Sequence, residues 1–94
     1  MNDEQDFQWD EGNIAHLARH DVSRAEAEDA ILDPNAIFVE IQSGAEERVK
    51  AIGATMSGRI LVVVFMWRGE AIRAITAYNA PVKEQKLYLK GEHV

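Results

Sequence analysis

The 94-residue chain contains no cysteine, which excludes a disulfide framework and any thiolate-held metal. Proline occurs only as Pro34 and Pro81, and no repeat, low-complexity stretch or Pro/Gly/Ser-rich linker divides the chain. One domain is therefore expected, with a modest core, since a chain this short buries only about 60–65% of its unfolded surface. The longest apolar run, Ile60 to Trp67, is far shorter than the ~20 residues that cross a bilayer. There is no glycine-rich phosphate loop, and the few serines have no evident His/Asp partners. The opening "MNDEQDFQWDEG" is acidic and lacks the basic and apolar regions of a signal peptide, so a cytoplasmic setting without membrane contact is expected.

Charge is present but unevenly placed. The net charge is −6, which by itself argues against nucleic acid. Residues 1–47 carry thirteen acids and two bases, whereas residues 48–94 carry three acids and eight bases, giving balances of −11 and +5. Such asymmetry suggests two surfaces with different partners. Acids that merely solvate helices account for the first half; they leave the bases of the second half less well explained.

Hydrophobic period and punctuation predict the order ααββββα. Asp10 is a candidate N-cap for a helix over about 11–19, with Ile14, Leu17 and Ala18 on its inner face. Ser23 with Glu26 three residues on forms a capping box for a second helix, whose inner face is Ala27, Ala30 and Ile31. Pro34 disfavours helix at Asp33 and stops it. "AIFVEIQ", "ERVKAIGAT", "RILVVVFMW" and "EAIRAITAY" then read as strands, the last two joined by a tight turn at "RG". Pro81 opens a final helix, "VKEQKLYLK". The fold class is α+β: two N-terminal helices, a four-stranded antiparallel meander and a C-terminal helix.

The candidate chemistry rests on arginines spread over the strands. Arg48 begins the second strand, Arg59 the third, Arg68 sits at the hairpin and Arg73 lies within the fourth. Guanidinium forks suit phosphate oxygens, so these groups, if gathered, would form an anion-binding patch. The competing reading is ion pairing with Glu46, Glu47 or Glu70. Strict alternation places Arg73 with Ile75 and Ala77, and Tyr78 on the opposite face unless a bulge intervenes. Glu84 and Tyr88 stand one turn apart on the last helix, as a candidate base and a candidate acid or hydrogen-bond donor, or simply as surface and packing groups. His16 and His20 have a spacing that can hold a metal, but no third ligand is apparent, and His93 falls in the tail.

In combination, F-x-W-D at Phe7 to Asp10, H-x-V-S at His20 to Ser23, E-R with I-G, R-x-L-V-V-V, I-R-x-I-x-A and a C-terminal E…Y resemble the BrnT-type toxins of bacterial toxin–antitoxin systems. The resemblance spans residues 7 to about 90. It implies a RelE-like fold and an endoribonuclease that cleaves RNA without metal or other cofactor. It also implies a cognate antitoxin that neutralises the toxin and carries the complex to promoter DNA. On this resemblance Arg48, Arg59, Arg73, Tyr78 and Glu84 are the catalytic candidates, and Lys50, Lys83 and Tyr88 the substrate-binding ones. The chain departs from the family pattern at Tyr78, where an arginine is usual. It also has Thr76 for serine, Val82 and Lys83 for a basic pair, and no histidine before E-R. A tyrosine donates a hydrogen bond but no positive charge, which motivates an alternative reading as a catalytically impaired protein-binding module.

Overall fold

A computed structural model describes residues 5–91; His93 lies outside them. The elements are α1 (Glu11–Ala18), α2 (Arg24–Leu32), β1 (Ile37–Ser43), β2 (Glu46–Ala54), β3 (Ile60–Arg68), β4 (Ala71–Asn79) and α3 (Val82–Lys90). The four strands form one antiparallel sheet in the order β1-β2-β3-β4. This is the expected α+β layout, with strand ends within about one residue of those read from pattern.

Local chemistry explains the helix starts. The Asp10 carboxylate accepts from the Asn13 amide and the Asn13 side chain returns a bond to Asp10 N–H; Ser23 and Glu26 do the same for α2. Each box satisfies amide donors that no helical carbonyl reaches. The inner face of α2 is Ala27, Ala30 and Ile31, as expected. That of α1 is not: Leu17 is buried, but Ile14 and Ala18 are exposed and Asn13 is buried in their stead. The reason lies at the sheet edge. Phe7 bridges to Ile72, with bonds from Gln8 N–H to Ile72 and from Ile72 N–H to Asp6, and the Asn13 amide then donates to the carbonyl of Ala74. An asparagine on α1 thus continues the cover over an edge that would otherwise offer unpaired backbone to other chains.

The sheet separates two apolar clusters. On one face Ala51, Leu61, Val63, Phe65, Ile72, Ala74 and Ala77 pack against Leu17, Ala27, Ala30 and Ile31 of α1 and α2. On the other, Ile37, Ile52 and Val62 pack with Tyr78, Leu87 and Tyr88, beneath α3. Gly53 lets α2 approach β2 closely, since a Cβ there would stand 2.0 Å from the Ala30 carbonyl oxygen.

One irregularity reorders the site. Phe65 pairs with Ala74 but Val64 pairs with Thr76, so Ile75 is an extra residue in β4. A bulge reverses the alternation beyond it. Tyr78, expected opposite Arg73, therefore shares its face: both lie on the α3 side with Thr76, while Ile72, Ala74 and Ala77 face α1 and α2.

Candidate functional site

The register builds rows across the α3 face. One row is Ile37, Ile52, Val62 and Tyr78; the next is Val39, Lys50, Val64 and Thr76. Continuing the β2–β3 register by one residue sets Arg48 beside Met66, whose partner in β4 is Arg73. Arg48 and Arg73 are thus two strand spacings apart, roughly 10 Å between Cα atoms. Lys50 lies one row away on the strand of Arg48.

The short C-terminal helix leaves these cations accessible. Nine residues of α3 make only about 13–14 Å of helix. Its Leu87 and Tyr88 cover the row containing Ile52 and Val62, and Glu84 on its first turn meets Lys50 at 3.2 Å. The row of Arg48, Met66 and Arg73 projects beyond this cover. Tyr78 is covered and lies four residues along β3 from the Arg73 row, roughly 13–14 Å away. Its ring meets that of His20 edge-on at 6.3 Å. Lys83 is exposed on the first turn of α3.

Three cations of the face, Arg48, Lys50 and Arg73, each have a carboxylate partner. Arg48 pairs with Glu46 at 3.1 Å, Lys50 with Glu84, and Arg73 with Asp10 at 2.9 Å. The pairs are unequal in exposure: the Arg48 and Arg73 side chains are 30% and 20% exposed, their partners Glu46 and Asp10 52% and 55%. The carboxylate is the half that water can claim, and such exposed pairs contribute only about 0–1 kcal/mol. An incoming phosphate therefore competes with weakly held acids for guanidinium groups fixed in the sheet. The Arg73 guanidinium, followed by the Asn13 amide, holds the Asp10 carboxyl below its usual range. Arg48 has a further feature: its Nε–H is buried and finds no acceptor among the described residues. A buried donor left this way costs about 1–3 kcal/mol.

Two candidates from the sequence are committed elsewhere. Arg59 does not join the other cations. Its guanidinium turns to the α1–α2 connection, bonding both Glu26 oxygens at 3.1–3.2 Å, the Asp21 carbonyl at 2.7 Å and the Asn79 side chain at 2.8 Å. The Ser23 amide first, then Arg59, holds the Glu26 carboxyl low. Tyr88 donates its hydroxyl to Asp33, whose carboxylate also accepts from the amides of Asn35 and Ala54. Asp33 therefore ties the end of α2 to β2 and α3. Burial pushes its carboxyl up, but the Tyr88 hydroxyl and the two amides outweigh burial and hold it low. The same carboxylate, then burial, raises the Tyr88 phenol.

His16 and His20 stand with ring centroids 6.1 Å apart, and no group of three or more metal-ligating side chains occurs among the described residues. No helix among them is long and apolar enough to cross a membrane. Sequence reasoning missed Asp10 as the partner of Arg73. The signal was present, since Asp10 was already assigned as a cap, but its second contact spans 63 residues.

Fold and site together define a small α+β protein whose half-covered sheet face carries Arg48, Lys50 and Arg73, the two arginines held by well-exposed carboxylates, an arrangement suited to a phosphate backbone. A family model described as ribonuclease toxin, BrnT, of type II toxin-antitoxin system matches residues 9–84. The chain belongs to this family, and membership implies an antitoxin partner and an RNA substrate. Comparison with curated proteins gives no match.

Proposed function

We propose that the chain is a metal-independent endoribonuclease of RelE-like type that acts on the open half of the α3 face and is silenced by a cognate antitoxin. The observation that carries this reading is the Arg48–Met66–Arg73 row, with its acceptor-less Arg48 Nε–H, in a member of a ribonuclease toxin family. Phosphate oxygens displace Glu46 and Asp10 and bind Arg48 and Arg73. Glu84, beside Lys50, takes the proton of the ribose 2′-OH. The 2′-oxygen attacks the adjacent phosphorus and the bond to the 5′-oxygen breaks as that oxygen takes a proton from water, leaving a 2′,3′-cyclic phosphate and a 5′-hydroxyl. The negative charge that develops on the phosphorane is met by the arginines and Lys50. Lys83, exposed on the first turn of α3, contacts the flanking chain, and only RNA offers the required 2′-OH. The antitoxin, rather than this chain, carries the complex to promoter DNA, and the setting is the bacterial cytoplasm.

Induced expression without antitoxin is expected to arrest growth and fragment messenger RNA, with Arg73→Ala relieving both. Growth and intact RNA with the wild-type chain would overturn the proposal. The second reading, a non-catalytic partner-binding module, is favoured by the fact that Arg48, Lys50 and Arg73 each already have a carboxylate partner. On that reading Arg73→Ala leaves growth unchanged and weakens partner binding.

A further inference from the structure

Helices α1 and α2 leave part of their own sheet face uncovered. A hollow of about 440 Å³ opens there, lined by Ile31 and Leu32 of α2, Phe38 of β1, and Phe65 and Trp67 of β3. The three aromatic rings stack edge to face, with centroids 6.4 and 6.0 Å apart. Leu32, Phe38 and Trp67 remain more than half exposed, at 55%, 51% and 51%. Three large apolar side chains displayed together contribute little to the isolated chain and mark a surface that another molecule covers.

The rim identifies that molecule's chemistry. Glu40 lines the hollow, and a second hollow sharing Gln5 and Trp67 is bordered by Asp6 and Glu70. No lysine or arginine is among the described residues lining either. An acidic rim repels RNA and anionic lipid and attracts a segment whose apolar anchors are flanked by bases.

We infer that this groove docks an amphipathic segment of the antitoxin, its apolar anchors over Leu32, Phe38 and Trp67 and its lysines or arginines against Glu40, Asp6 and Glu70. The toxin–antitoxin reading supplies the identity of the partner; the groove supplies its chemistry. The groove lies on the reverse of the sheet from Arg48, Lys50 and Arg73, so docking and RNA chemistry are separable by substitution.

Calorimetric titration of the full chain with the purified antitoxin encoded beside it tests the inference. Phe38→Ala with Trp67→Ala is expected to weaken binding at least about thirtyfold, the scale of lost interface anchors. Glu40→Lys with Glu70→Lys, which keeps every apolar group of the groove, is expected to weaken it about tenfold and to reduce its salt dependence. Arg73→Ala is expected to bind within about threefold of wild type, as a group outside the interface does. Unchanged affinity in both groove variants, or no binding by the wild-type chain, would overturn the inference. So would a concentration-dependent dimer of the chain alone that the Phe38 and Trp67 substitutions abolish, since the groove then serves a second copy. RNA cleavage by the same variants is a separate readout: uncut RNA sinks the nuclease reading and leaves the titration interpretable.

Discussion

Asp10 serves two structures at once, capping α1 and occupying the Arg73 guanidinium. The two roles can be divided. Asn caps a helix as well as Asp but carries no charge. Asp10→Asn is therefore expected to keep the fold and to tighten RNA binding about two- to fivefold at low salt, the scale of a surface ion pair removed from competition. Fluorescence anisotropy with a short uncleavable RNA checks this; weaker binding would count against a displaceable partner. Tyr88 gives a pH prediction. The Asp33 carboxyl is depressed in the fold, so its contribution is present above the unfolded carboxylate pKa and is lost as pH falls through the folded value. The Tyr88 phenol is raised, so its contribution is present below the unfolded phenol pKa and is lost as pH rises through the folded value. Tyr88→Phe should therefore lower stability by about 1–2 kcal/mol at neutral pH and flatten the loss at alkaline pH, measured as urea midpoints across pH. The positions of the arginines and of the Glu84–Tyr88 pair were legible in the sequence, and so was Glu46 as a partner of Arg48; the long-range partners were not. Asp10 lies 63 residues from Arg73 and Asp33 lies 55 from Tyr88, and local pattern carries no information at that range.

Among the elements, the Asp10 cap, the Ser23–Glu26 capping box, Pro34 and the β-branched run of β3 made the secondary structure legible, because each is a local signal with a local cause. The bulge at Ile75 was not legible in this way. Its signature is a pairing between two strands, and "AIRAIT" read alone does not mark which residue is the extra one. Its consequence is large, since it turns Tyr78 onto the face of Arg73. The inner face of α1 was misplaced for a similar reason: Asn13 is chosen by an edge carbonyl of β4, which periodicity does not represent. The α2–β2 contact gives an element-scale prediction. Gly53→Ala should cost about 2–3 kcal/mol, because the added methyl meets backbone at Ala30 and neither element can yield alone. Thermal unfolding measures it. A variant as stable as wild type would show that α2 can shift on the sheet.

For the whole molecule, the net charge of −6 argued against nucleic acid, and the division between halves suggested two surfaces with different partners. The structure explains the division. The acidic first half supplies α1 and α2 and the carboxylates that answer cations from the strands, as Glu26 answers Arg59 and Asp10 answers Arg73. The basic second half supplies three strands and α3. If Arg48, Lys50 and Arg73 each take a phosphate, log affinity for single-stranded RNA should fall with log salt at a slope of about −2, despite the acidic total. A slope near zero would show that the face does not engage a backbone. The central claim is sharper than this: three cations on one half-covered face do the work, and Arg59 holds the helices instead. Single-turnover cleavage of RNA by purified, antitoxin-free protein in chelator tests it most directly. Arg48→Ala, Lys50→Ala and Arg73→Ala should each slow cleavage about 100-fold or more, while Arg59→Lys should cleave within about threefold of wild type at a lower melting temperature. Cleavage abolished by Arg59→Lys and untouched by the other three would contradict the account.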